Sequence, residues 1–146
     1  MIDEIDRQIV NLLLQDGRMT NAALAEAVGL TPTPMLARMR KLEQRGVIRG
    51  YTARVDPTAV GRATVAFLHV QMARHENESY QNFLQETARM EEVLEVHHVA
   101  GEDDFILKVG VADIAAFERF LLDRLNAIPG IHRTRTTFVL STPKSP

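Results

Sequence analysis

The chain has no cysteine and no tryptophan, and aromatic residues make up only 5% of its 146 positions. Without thiols there is no disulfide framework, no thiol nucleophile and no thiolate-bound zinc, so a metal would depend on five scattered histidines and the carboxylates. No apolar run approaches the roughly 20 residues needed to span a bilayer. The N-terminal stretch MIDEIDRQIV carries acids where a secretory or transit signal wants bases. A soluble, cytoplasmic protein is expected. Internal repeats are missing too, and the closing STPKSP is the one stretch that reads as frayed. What is present, 45% hydrophobic and 25% charged residues, suits one ordinary globular domain or two small ones.

The formal charge of −2 hides an asymmetry. Residues 31–55 hold six bases and one acid, whereas residues 1–30 hold two bases and five acids, and residues 56–146 nine bases and thirteen acids. Positive charge concentrated in one short segment is the electrostatic footprint of a polyanion-binding surface.

Asp3 announces a first helix as its N-cap, with Asp6 three residues on and Ile2, Ile5, Ile9, Leu12 and Leu13 as its apolar stripe, ended by Gly17. A second, short helix runs from Thr20 to Gly29, and a third from the PTP after Thr31 to about Arg45 before Gly46. The period then drops toward two, so VIRGYTARV (47–55) reads as a wing-like strand, and DPTAVGR as a hinge. Beyond it the order is strand, helix, strand, strand, helix, strand, the βαββαβ of a ferredoxin-like sandwich. In the last helix Ile114, Phe117, Leu121 and Leu125 are the expected buried positions. The fold class expected is α+β: a winged helix-turn-helix domain over residues 1–55, a linker at 56–62, and a ferredoxin-like domain over 63–146. One face of such a sheet is bare, and a second subunit commonly covers it.

On a 100° wheel the third helix points Met35, Leu36, Met39 and Leu42 one way, and Pro34, Ala37, Arg38, Lys41 and Arg45 the other. A charged helix face is ordinarily just solvated. Preceded by a tight glycine turn and followed by Arg49 and Arg54, this one fits the second helix of a helix-turn-helix, which lies in the DNA major groove.

These residues resemble the Lrp/AsnC, or feast/famine, family of transcription regulators over nearly the whole chain. The likeness is carried by Asp3 and Asp6, DGR at 16–18, VGLTPTP at 28–34 and LEQRGVIRGY, and in the second half by VHHVAGEDDFILKV and IPGIHRTRTTFVL. The resemblance implies that Thr31, Thr33, Pro34, Ala37, Arg38 and Lys41 face double-stranded DNA, with Arg45 on the same face. It also implies that Gly101 and Asp104 line a small-molecule effector site, where a carboxylate suits the ammonium of an amino acid and backbone N–H groups its carboxylate. Thr137, the third residue assigned to that effector site, marks a departure: members often have an aromatic after the TRT motif, and here Phe138 follows on the opposite face of the strand, which argues against a large apolar effector, or against any effector in the pocket. The partners implied are DNA, an effector and a homodimer assembling into tetramers or octamers.

Other groupings are weaker. His97 and His98 are adjacent on a strand and point to opposite faces, so they cannot chelate one ion. The carboxylates at 91, 92, 95 and 102–104 have no convergent partners for catalysis. No cofactor, metal or enzymatic activity is expected. The competing reading is a ferredoxin-like enzyme or metabolite-binding protein whose helices only mediate assembly.

Overall fold

A computed structural model describes residues 1–73 and 76–145. Their contacts divide the chain into two compact units, Met1–Arg54 and Val55–Ser145.

The first unit contains α1 (Glu4–Gln15), α2 (Asn21–Ala27) and α3 (Pro32–Gln44). The Asp3 carboxylate accepts from the Asp6 N–H at 2.8 Å and the Thr20 hydroxyl from the Ala23 N–H at 3.1 Å, so α1 and α2 both start on side-chain caps. α2 ends in a Schellman motif, with Leu30 N–H on the Ala25 carbonyl at 2.8 Å and Gly29 N–H on that of Glu26 at 3.3 Å. Gly29 stands at φ 71°, a conformation that costs any residue with a Cβ. The reversal turns α3 back across α2 over a core of Ile9, Leu24, Ala25, Met35, Met39 and Leu42. Leu36 does not join that stripe: it is 39% exposed. It sits one residue round from Met35, at the edge of the apolar arc.

The wing-like strand is corrected. Among the described residues, 47–55 form no strand, because a strand is defined by its ladder and nothing in the chain pairs with this one. Ile48 still packs on the helical core.

The second unit contains β1 (Thr64–Met72), α4 (Asn77–Ala88), β2 (Val93–His98), β3 (Phe105–Val111), α5 (Ile114–Arg119) and β4 (Ile131–Phe138). The sheet order β2-β3-β1-β4, all antiparallel, is that of the ferredoxin-like sandwich. Alternation along β1 puts Ala66, Leu68, Val70 and Met72 under the helices, in a core with Phe83, Phe105, Leu107 and Val109. Val65, Phe67, His69 and Gln71 take the other face, where Phe67 lies between Lys108 and Thr137, and His69 between Ile106 and Arg135.

α5 continues into a π-helical turn over Phe120–Leu125, with Asn126 N–H on the Leu121 carbonyl at 3.0 Å. Phe120, three residues after Phe117 and on the same helix face, joins the core. Ile114, expected inside, is 59% exposed, since α5 starts two residues past the end of β3 and its first turn lies at the rim of the sheet.

Candidate functional site

The exposed face of α3 is built by exclusion. Met35, Met39 and Leu42 are drawn into the core, which leaves Thr33, Pro34, Ala37, Lys41 and Arg45 outward. Its start is unusual. An N-cap hydroxyl normally accepts from the N–H of the second or third helical residue, but here the third is Pro34, and Thr31 makes no capping bond. The Thr31 hydroxyl therefore stays available at the helix N-terminus, where the macrodipole favours an anion. Glu43, the one acid on the helix, accepts from the Tyr51 hydroxyl at 2.9 Å. That bond, after the desolvation of the ring, raises the Tyr51 pKa. Arg45 donates to the Met1 carbonyl at 3.3 Å.

Arg38 is engaged within the unit. Its Nη1 lies 2.6 Å from Asp3 Oδ2 and 2.7 Å from Asp6 Oδ1, a three-way ion pair that pins α3 to the start of α1. Asp6 is 5% exposed, so Arg38 is the counterion of a buried carboxylate. The two carboxylates raise the Arg38 pKa, while the Asp6 N–H and then Arg38 hold Asp3 below the usual carboxylate range. The sequence could show Asp3, Asp6 and Arg38 as a cap and a basic face; it could not show that residues more than 30 positions apart meet.

In the second unit Gly101 is exposed at φ 155°, with nothing within 4 Å of where a Cβ would stand. Asp104, three residues on, is turned inward. Its Oδ1 accepts from the Tyr80 hydroxyl at 2.6 Å and its Oδ2 from the Met72 N–H at 2.7 Å, while its own N–H donates to the Val70 carbonyl at 2.9 Å. Asp104 thus ties the loop to β1 and α4. Its hydrogen bond, then burial, push the Tyr80 phenol up to about 12. Thr137 is not beside these two. It lines a concavity of about 580 Å³ on the bare sheet face, with Phe67, His69, His97 and Ile106. That face also carries ion pairs which sequence spacing did not reveal: Asp103 with His69 at 3.0 Å and Arg135 at 3.3 Å, and Glu95 with Lys108 at 2.9 Å and His97 at 3.0 Å. Lys108, then His97, lower the Glu95 pKa. His98 faces the helices and stacks on Phe105, so the two histidines do diverge. Among the described residues no group of three or more potential ligands is poised for a metal, and no helix is long and apolar enough to cross a membrane.

Comparison with known proteins accounts for both units. Residues 2–49 match the winged helix-turn-helix DNA-binding family, and residues 65–146 the Lrp/AsnC ligand binding domain family. The leucine-responsive regulatory proteins of Klebsiella pneumoniae and Escherichia coli K12 are each 38% identical over 143 residues, 98% of this chain and 87% of theirs. A transcriptional regulator of Neisseria meningitidis, solved as a complex with L-Met, superposes with a TM-score of 0.93 at 33% identity, covering 99% of this chain and 94% of that one. An AsnC family transcriptional regulator of Agrobacterium tumefaciens gives 0.91, again at 33% identity and covering 99% and 94%. A helix-turn-helix unit with a cationic second helix, joined to a ferredoxin-like unit that matches the family's ligand-binding domain, makes this chain a member of the Lrp/AsnC family of DNA-binding transcription regulators.

Proposed function

We propose that this regulator reads DNA with the outer face of α3 and that a small amino acid modulates it from the ferredoxin-like unit. The observation that carries the DNA reading is the make-up of that face: Thr33, Pro34 and Ala37 are small enough to let the backbone approach base edges, and Lys41 flanks them to meet phosphate. The Thr31 hydroxyl, unused as a cap, supplies a donor at the helix start. Arg38 acts as a strut that fixes the angle of α3, and Arg45 supports it from the helix end. Sequence-specific contact requires such a fixed angle, since a tilted helix misplaces every base contact at once.

For the effector, the L-Met bound to the Neisseria meningitidis regulator and the naming of the curated relatives as leucine-responsive support an amino acid. We place its site at the loop around Gly101, whose open backbone suits a carboxylate, with Asp104 shaping the loop and Thr137 lining the neighbouring sheet face. The bare face itself suits a second copy of the chain, giving a homodimer that builds tetramers or octamers. Because α3 offers a DNA-facing cationic surface, and Glu92, Glu95 and Asp103 are engaged in ion pairs, the reading as a metabolite enzyme has no support from a convergent catalytic site.

The test is binding to the protein's own promoter region across salt concentrations, with and without amino acids. Lys41→Ala should lower the log–log salt slope by about 0.9, the share of one phosphate contact. An unchanged slope would remove this face from the DNA interface.

A further inference from the structure

A second concavity lies at the opposite end of the ferredoxin-like unit from Gly101. It encloses about 440 Å³ between the end of β3, the π turn and residues 60–62. Gly101 precedes the start of β3 at Phe105, whereas this cavity reaches Gly110 and Val111. Six residue steps of strand, about 20 Å, separate those two ends.

Three features hold the cavity open. Arg62 lies flat across β3 because Gly110 has no side chain: a Cβ there would meet Leu94 Cδ1 at 3.0 Å and the Arg62 stem at 3.3 Å. Arg62 is anchored in that pose by donating to the Glu91 carbonyl at 3.2 Å. Across the cavity Arg124 Nη1 grips both oxygens of Glu92, at 2.9 and 2.6 Å, and fixes the π turn to the entry of β2.

Charge within this frame is left over. In a regular α-helix Arg119 and Asp123 stand four residues apart and tend to pair. Here the helix passes into its π turn between them, and among the described residues neither makes an ion pair. Both line the cavity, as does Glu91, whose carboxylate is also unpaired among the described residues. Arg119 and two open carboxylates thus share one recess with Arg62, whose guanidinium meets only a backbone carbonyl, over the apolar side chains of Phe120, Ala116 and Val111. π turns cost stability relative to α-helix and recur where a helix serves a ligand.

We propose that this recess is a second small-molecule site, distinct from the one at Gly101, and that it takes a free α-amino acid, with the ligand carboxylate on Arg119 and its ammonium between Asp123 and Glu91. A dipolar ligand fits because it meets both charges at once. A dicarboxylate or a diamine leaves one side of the recess opposed by like charge. Residues 60–62 sit directly before β1, so an occupant also touches the segment that leads from the DNA-binding unit.

Methyl-labelled full-length protein, titrated separately with L-leucine, L-alanine and L-aspartate, tests this. The Val111 and Ala116 methyl signals should shift with at least one of them, and Arg119→Gln and Asp123→Asn should each weaken that response by about tenfold or more, the loss of one charge-assisted hydrogen bond. Both residues are exposed, so neither variant should alter folding. For the responding amino acid, the deaminated acid and the decarboxylated amine should shift these signals far less; an equal response to either overturns zwitterion recognition. Shifts at Val99 and Ile106 with none at Val111 and Ala116 overturn this site while leaving the proposed effector site standing. Shifts at Val111 and Ala116 alone support this site and count against the other.

Discussion

Arg38 shows how a single side chain changes the design of an experiment. Its removal from the basic face by mutation would orphan Asp6, so Arg38→Ala should cost the N-terminal unit about 2 kcal/mol, the penalty for stranding a buried charged group without its partner. Lys41→Ala, on the same helix but with an exposed side chain, should stay within about 0.5 kcal/mol. Thermal denaturation of the two variants separates the strut from the contact, and equal melting temperatures would deny Arg38 its structural role. The Tyr80–Asp104 bond makes a second residue-scale prediction. The phenol pKa is raised from 10.0 in the unfolded chain to about 12 in the fold, so the bond's contribution is complete below pH 10 and is lost as the pH rises through 12. Wild type should therefore lose stability across that alkaline window more steeply than Tyr80→Phe. At the acid end the sign reverses: Asp3 has a lowered pKa, its contribution is present above about pH 4 and fades as the pH falls through the folded value, and Asp3→Asn should flatten that acid limb.

At the scale of elements, the helices were legible because their signals are local. Asp3 and Thr20 cap the helices they announce, and Gly29 and Gly46 end theirs at φ 71° and 68°. The βαββαβ order followed from periodicity in the same way. The misses share a cause, which is dependence on something outside the window being read. Residues 47–55 alternate like a strand, but strand formation needs a partner ladder that the single chain does not supply. Ile114 was expected inside because the wheel sees only the helix's own period and not that its first turn lies at the rim of the sheet. Arg38 and Asp104 were singled out for a DNA face and an effector loop, while the partners they meet in the fold lie 32 or more residues away along the chain for Arg38, and 24 and 32 for Asp104. The Gly29 turn gives this scale its prediction. Gly29→Ala forces a Cβ into the left-handed region at a cost of about 1–2 kcal/mol. Because the strain falls on the turn that aims α3, DNA affinity should drop even at temperatures where the fold persists. Circular dichroism at the assay temperature provides the control, and unchanged affinity alongside lowered stability would show that the α3 angle is set elsewhere.

At the scale of the whole molecule, the sheet has one dry face and one that is unfinished. The helices cover Ala66, Leu68, Val70 and Met72 completely or nearly so, while Val65, Phe67, Ile106 and Val139 on the far side are only partly buried. An apolar strip of this kind, rimmed by the Asp103–His69–Arg135 and Glu95–Lys108–His97 clusters, has the anatomy of an interface, with an apolar centre and a charged border. A closed two-fold pairing of this face with itself needs only one copy of the gene and leaves no second sticky surface behind. Ile106→Asp is the sharpest probe, since Ile106 stands at the centre of the sheet on β3, and the change buries two like charges near each other in any symmetric dimer while leaving the helix-side core untouched. Sedimentation equilibrium of the full chain should then report a monomer, or a much weakened dimer, with unchanged secondary structure. Should Ile106→Asp instead keep the wild-type mass, this face is not an interface between copies of the chain, and the histidine and carboxylate pairs around the strip would be ordinary solvent-facing ion pairs.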